Sequence, residues 1–399
     1  MNHIFFAYSR RFFIISTLLF GLSAVFCYGV DPFSVYGKVY FKEGKVVNSP
    51  AFSSQIQMGK AIGIKQYKPD TLILGSSRTD SGFSPKITQE FLPDNKVYNG
   101  AYPGMTIYEV LRYFQHANAS TSLKQVFIGL DFFQFHGSHR PNKGFSEERL
   151  AVDFNNTPSE NNLNDLQSTL FSGDALFYSI KALTGLNKWK KVYLPNGFKT
   201  KGYGEGWIDT FSNSEEKYVH RVYTTPNFTF VSFDKKFTTF DYFRKIIQLA
   251  YDQGIVVNFF ISPSHARQWE LIKQLGLWDK WEHWKREMLA ITEQESRAYQ
   301  KSPFLIYDFS TYNKYSTEAV PRATDTPMTW YADSSHYSQA LGHIIFNNMM
   351  NGVENNFGQI LKTETVGAHI KAIRQGREQY ILEHPQDAAD IKSLVATRL

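Results

Sequence analysis

Five short segments, apolar almost throughout, set the kind of fold that this chain can adopt. They are Asp70–Gly75, Lys96–Asn99, Gln125–Phe133, Ile255–Ile261 and Phe304–Phe309. Each is shorter than an ordinary core helix, and none alternates apolar with polar as a half-exposed strand would. Helical stretches separate them. The clearest begins at Thr106, where Thr106 and Glu109 form a capping box and Ile107, Val110, Leu111, Phe114 and Ala117 fall on one face. Strands buried on both sides and alternating with helices predict an α/β fold around a mostly parallel sheet.

The third and fourth segments are separated by far more chain than a crossover needs. Residues 137–236 are rich in Asn, Ser, Gly, Lys and aromatics, with a helix-like piece at Asp165–Leu186. They read as an insertion placed beside the strand ends, either a lid or platform for substrate or a surface elaboration. The α/β body is then expected in two parts, 68–136 and 237–364, preceded by a Gly-, Ser- and Lys-containing linker at 31–67. Residues 365–399 read as two helices separated near Pro385. Ile370, Ile373, Tyr380 and Ile381 supply their docking stripe.

Phe12–Val30 carries no charge and is about as long as a bilayer-crossing helix. Arg10 and Arg11 abut its start, and the next basic residue is Lys38, which favours residues 1–11 in the cytoplasm and the body outside. A cleaved signal peptide is the rival reading. The run is long for one, and no small-x-small site follows it. Cys27, the only cysteine, removes intrachain disulfides and thiolate metal sites. The net charge of +6 forms neither a basic stripe nor a nucleic-acid module, so no nucleic acid is expected as partner.

Open parallel sheets bind ligands beyond the carboxyl ends of their strands, and the chemistry-bearing residues collect there. Gly75-Ser76-Ser77-Arg78 follows the first segment and Asn99-Gly100-Ala101-Tyr102-Pro103-Gly104 the second. Asp131 lies in the third and His265 follows the fourth. Trp330-Tyr331-Ala332-Asp333-Ser334-Ser335-His336 comes after the fifth, before a helix. A serine hydroxyl needs a base to take its proton, and an imidazole needs a carboxylate to orient it. His265 reads either as a substrate contact or as a loop residue capping backbone. Arg78 reads as a partner for an anionic substrate or, more simply, for a carboxylate within the fold. His136 and His139 with Asp131 lack a second ligand cluster, so no metal or cofactor is expected. Trp269, Trp278, Trp281 and Trp284 at helical spacing suit a core better than a sugar-stacking face.

Over 68–135 and 254–353 the chain resembles the SGNH (GDSL-like) hydrolases. Within them it looks like the membrane-anchored branch associated with polysaccharide O-acetylation and teichoic-acid D-alanylation. Gly75-Ser76-Ser77 matches the Gly-Asp-Ser block, Asn99–Thr106 the second block, and Asp333-Ser334-Ser335-His336 the terminal Asp-x-x-His. The resemblance implies a doubly wound, flavodoxin-like sheet, with Ser77 as nucleophile, His336 as base and Asp333 as its orienting carboxylate. Backbone N–H groups of Ser77 and Gly104 would form the oxyanion hole. It further implies acyl, in particular acetyl, transfer to or from an extracytoplasmic polysaccharide, with a membrane-bound acyltransferase as a possible partner. Two positions depart from the pattern. Ser76 replaces the family's Asp, and Asp131 stands where the family places an Asn oxyanion donor. An ionised carboxylate cannot donate. Asp131 is therefore protonated, or turned to a structural task, or absent from a hole made by backbone alone.

Overall fold

The computed structural model describes residues 2–159, 163–184, 191–224, 227–323, 327–353 and 357–397. Strands β1 (Tyr40–Lys42) and β2 (Lys45–Val47) form a small antiparallel hairpin. The central sheet holds β3 (Thr71–Leu74), β4 (Val97–Asn99), β5 (Gln125–Leu130), β6 (Val256–Ile261), β7 (Ile306–Asp308) and β8 (Gln359–Ile360). Their spatial order is β4-β3-β5-β6-β7-β8, and all neighbours are parallel except β7 and β8. The connections leave β3 toward β4 on one side and return to β5 on the other, so the winding direction reverses there.

The period-2 alternation of side chains divides the apolar strands between two cores. Leu72, Leu74, Val126, Ile128, Leu130, Phe259 and Ile261 face one cluster. It is filled by the helices Ile107–Ser120, Thr239–Gln253 and Trp278–Ala298. Ile73, Phe127, Phe260 and Tyr307 face the other, with Phe83, Leu341, Ile345 and Phe346 opposite them. The rings of Phe127 and Phe346 lie 4.8 Å apart and those of Phe83 and Phe260 5.3 Å apart. Both faces of the sheet are therefore covered, as continuous apolar strands require. The four tryptophans of residues 269–284 are all buried in the first core.

Three boundaries differ from the sequence expectation. The third strand ends at Leu130, because Asp131 gives its N–H to the Gln134 side chain and opens a 3₁₀ turn over Phe132–Phe135. The presumed linker contains the helix Ile56–Tyr67, whose Ile56, Ala61 and Ile64 belong to the main core. Its glycines serve close packing: a Cβ on Gly63 would fall 2.0 Å from Tyr98 Oη, and one on Gly59 2.4 Å from the Phe52 ring. The expected helix Asp165–Leu186 is two helices, Leu163–Leu170 and Gly173–Thr184. Its last two residues lie outside those described. The C-terminal helices Val366–Glu383 and Pro385–Ala396 meet at Pro385 and bury Ile370, Ile373 and Tyr380. At the other end, the helix Asn2–Val30 includes a segment, Phe5–Val30, long and apolar enough to cross a membrane.

Candidate active site

β3 passes into the short helix Ser77–Gly82 through Gly75, whose φ is +149°. A Cβ there would lie 2.3 Å from Thr79 Oγ1, so the turn requires glycine. Ser76 caps the helix by accepting from the Arg78 N–H at 3.2 Å, and its hydroxyl donates to Asp131. Ser76 is thereby fully buried and engaged, whereas Ser77 at the first helical position turns its hydroxyl to the crevice. Ser77 Oγ is 2.9 Å from His336 Nε2, and His336 Nδ1 is 2.7 Å from Asp333 Oδ2. These bonds join two segments 259 residues apart in the chain.

The helix that follows begins only at Gln339, with Ser338 as its cap, so Asp333 caps no helix. The Asp333 carboxylate holds its own loop instead. Oδ1 accepts from the Ser335 and His336 N–H groups at 2.8 and 2.9 Å and from Ser214 Oγ at 3.2 Å. Burial pushes this carboxyl upward. The neighbouring imidazole and the two N–H groups more than offset that, so its pKa lies below the ordinary value. The ionised form that can hold an imidazolium is therefore the favoured one.

The loop after β4 lies against the Gly75–Ser77 turn, with Tyr102 N–H donating to Gly75 O and Gly100 N–H to Ile73 O. Gly104 adopts φ +73°, and its carbonyl accepts from Asn142 Nδ2 at 2.9 Å. The N–H groups of Ser77 and Gly104 have no hydrogen-bond partner among the described residues. Beneath the site Lys60 donates to Asp80 on the helix Ser77–Gly82, to the Asn99 carbonyl and to the Gly197 carbonyl. Burial depresses the Lys60 pKa to about 8 against the pull of Asp80.

Asp131, Arg78 and His265 are each engaged within the fold, along the structural alternative open to each. Asp131, 1 % exposed, accepts from Arg78 Nη1 at 2.9 Å and from the Ser76 hydroxyl. Both its oxygens are occupied, so it offers no donor to an oxyanion. Arg78, 5 % exposed, also donates to Ser335 Oγ at 3.0 Å and lies over the Phe133 ring. Its charge is spent within the fold rather than on a substrate. His265 is fully buried as the cap of the helix Ala266–Gln274, with Nδ1 accepting from Arg267 N–H and Nε2 donating to the Glu318 carbonyl. With both ring nitrogens bound to backbone, it has none for a ligand.

The inserted chain supplies residues that motif reading missed. Tyr203 lays its ring 4.0 Å from that of His336, Ser214 supports Asp333, and Tyr218 shares a 2.6 Å hydrogen bond with Ser335 Oγ. Tyr203 sits in Gly202-Tyr203-Gly204-Glu205-Gly206. A Cβ on Gly206 would lie 2.3 Å from the Tyr331 carbonyl, and one on Gly202 3.2 Å from the Ser81 carbonyl. An aromatic set among closely spaced glycines was the available signal. A cavity of about 360 Å³ that Tyr203 helps to wall is lined by Lys42, Lys45, Lys191, Lys199 and Lys201 against the single acid Glu43. Lys199 is neutralised by Asp80 at 3.2 Å.

Chemically, the arrangement can activate a serine oxygen, store its proton on an imidazole and return it to a leaving group. Compared with known protein families and with characterised proteins, the chain matches none.

Proposed function

We propose that the chain is a serine-dependent acyltransferase or esterase of the SGNH type, acting on an extracytoplasmic polysaccharide. The observation that carries this reading is the continuous Ser77–His336–Asp333 hydrogen-bonded relay at the carboxyl edge of a parallel sheet. The order of the parallel strands, 2-1-3-4-5 when numbered from β3, supports reading the sheet as flavodoxin-like and doubly wound, with the relay beside its switch point. Ser77 Oγ attacks the acyl carbonyl while His336 takes its proton, and the backbone N–H groups of Ser77 and Gly104 receive the oxyanion. His336 then protonates the departing alcohol. A second hydroxyl, from a sugar or from water, then gives its proton to His336 and takes the acyl group, and His336 returns that proton to the departing Ser77 oxygen.

Transfer is favoured over hydrolysis by the length and apolar character of Phe5–Val30, which suit a membrane anchor, and by the lysine-lined cavity beside Tyr203. The anchor, with its N-terminus in the cytoplasm, would hold the body beside a membrane-bound acyltransferase that delivers the donor. The cavity suits an acceptor carrying anionic groups. Incubation with p-nitrophenyl acetate followed by intact-mass and peptide analysis tests the reading. An acetyl adduct on Ser77, absent from Ser77→Ala, is expected. No adduct and no ester turnover would overturn it in favour of a glycan-binding assembly component, a reading that the Arg78–Asp131 lock specifically favours because it removes a side-chain oxyanion donor.

A further inference from the structure

The N-terminal helix does not leave the body as a bare tether. Near its C-terminal end Phe26 and Cys27 pack with Phe33, Leu170, Ala175 and Tyr178. The helices Leu163–Leu170 and Gly173–Thr184 touch each other and both flank the anchor. On the second of them Ala175 and Ser179 are buried, so the inward face is small and close-packed. The outward face is where a water-exposed helix should be polar. Instead Leu176, Phe177, Ile180 and Leu183 stand 38, 51, 46 and 63 % exposed, joined by Leu166 and Phe171 at 45 and 46 %. An apolar surface of this extent beside a polar body marks contact with something apolar.

The anchor says what that is. Its 26-residue segment, charged only at Arg10 and Arg11, ends where the two helices pack, so a bilayer crossed by that segment reaches their outer faces. The rim has the composition of a membrane interface. Lys181 Nζ lies 4.3 Å from the Phe177 ring centre and Lys38 Nζ 4.9 Å from that of Tyr28. The rings of Tyr28 and Tyr36 meet at 4.9 Å, tilted by 53°. Aromatic rings with lysine stems along them seat the ring at headgroup depth and leave the ammonium in water.

We infer that Leu163–Leu170 and Gly173–Thr184 are a membrane-embedded foot, lying in the interfacial layer of the bilayer that the N-terminal helix crosses. Phe177, Ile180 and Leu183 enter the acyl-chain boundary. The foot belongs to the same insertion that supplies Tyr203 and Ser214 to the crevice, so one element both seats the body on the membrane and walls the candidate site. The inference rests on the anchored reading of Phe5–Val30.

The test uses the full chain in phosphatidylcholine–phosphatidylglycerol liposomes. Cys27, fully buried, is replaced (Cys27→Ala), and single cysteines are placed at Leu18, Phe177, Leu183 and the exposed Glu378 for an environment-sensitive fluorophore. Quenching by nitroxide lipids is compared with quenching by aqueous iodide. We expect lipid quenching at positions 18, 177 and 183, and iodide quenching at 378. Iodide quenching at 177 and 183 with lipid quenching at 18 overturns the foot and leaves the anchor standing. Shielding of 177 and 183 from both quenchers means a protein covers them and also overturns it. Iodide quenching at 18 removes the anchor and the foot together.

Discussion

The Asp131 carboxylate and the Arg78 guanidinium are locked 2.9 Å apart, out of water, on either side of the turn that carries Ser77. Burial alone would lower the Arg78 pKa, but Asp131 raises it above the ordinary value, so the guanidinium stays charged. Asp131→Asn removes the negative partner and leaves a buried cation uncompensated. We expect a loss of about 3–5 kcal/mol in stability and no gain in ester turnover. Chemical denaturation and p-nitrophenyl acetate kinetics check both. Faster turnover at unchanged stability would show instead that residue 131 reaches the oxyanion.

A second expectation concerns acid. Burial holds His116, His139 and His265 at pKa values of about 4. Unfolding returns each to an ordinary value near 6.5. Between those limits the unfolded chain binds more protons than the folded one, so stability falls as pH drops from about 6.5 and levels off below about 4. Thermal midpoints measured from pH 7 to pH 4 should decline through that window. A flat profile would mean that these imidazoles reach water in the folded state.

The cavity beside Tyr203 yields a third. Lys45 and Lys191 are exposed at its lining. The double substitution Lys45→Glu and Lys191→Glu should raise KM for an oligogalacturonate acceptor at least several-fold, and more at low salt. It should leave turnover of a small neutral ester within error, and stability within about 0.5 kcal/mol. An unchanged KM for the charged acceptor removes the cavity from acceptor binding.

Much of this was legible in the chain because it is local. Apolar strands, the Thr106–Glu109 capping box and the Asp333–His336 spacing each lie within a few residues, where periodicity and hydrogen-bond reach act. What stayed hidden depends on partners far away in sequence. Asp131 could not be assigned until Arg78, 53 residues earlier, was found against it. His265 could not be set aside until Glu318 was seen accepting its Nε2 proton. Composition misled at Gly59 and Gly63, which read as linker yet mark contacts too close for a Cβ. Tyr203 and Ser214 lay in an insertion without periodicity, and only the tertiary fold brings them to His336 and Asp333.

The relay itself supplies the last prediction. Ser77→Ala removes the oxygen that would carry the acyl group, and His336→Ala removes the base 2.9 Å from it. Either change alone should abolish most ester turnover, and the double variant should be little worse, because residues acting as one device are strongly non-additive. Asp333→Asn should cost as much or less. It keeps the shape of the loop but substitutes a neutral amide for the carboxylate that accepts from His336 Nδ1 and from two backbone N–H groups. Ser76→Ala is the internal control. It loses a helix cap, worth about 1 kcal/mol, and a hydrogen bond to Asp131, so its melting temperature should fall. Yet the Ser77 hydroxyl and its base remain, and turnover should persist well above that of Ser77→Ala. If the Ser76 variant is inactive while folded and Ser77→Ala is active, the nucleophile is the neighbouring residue. If Ser77→Ala, His336→Ala and Asp333→Asn all turn over ester at the wild-type rate, the relay carries no chemistry.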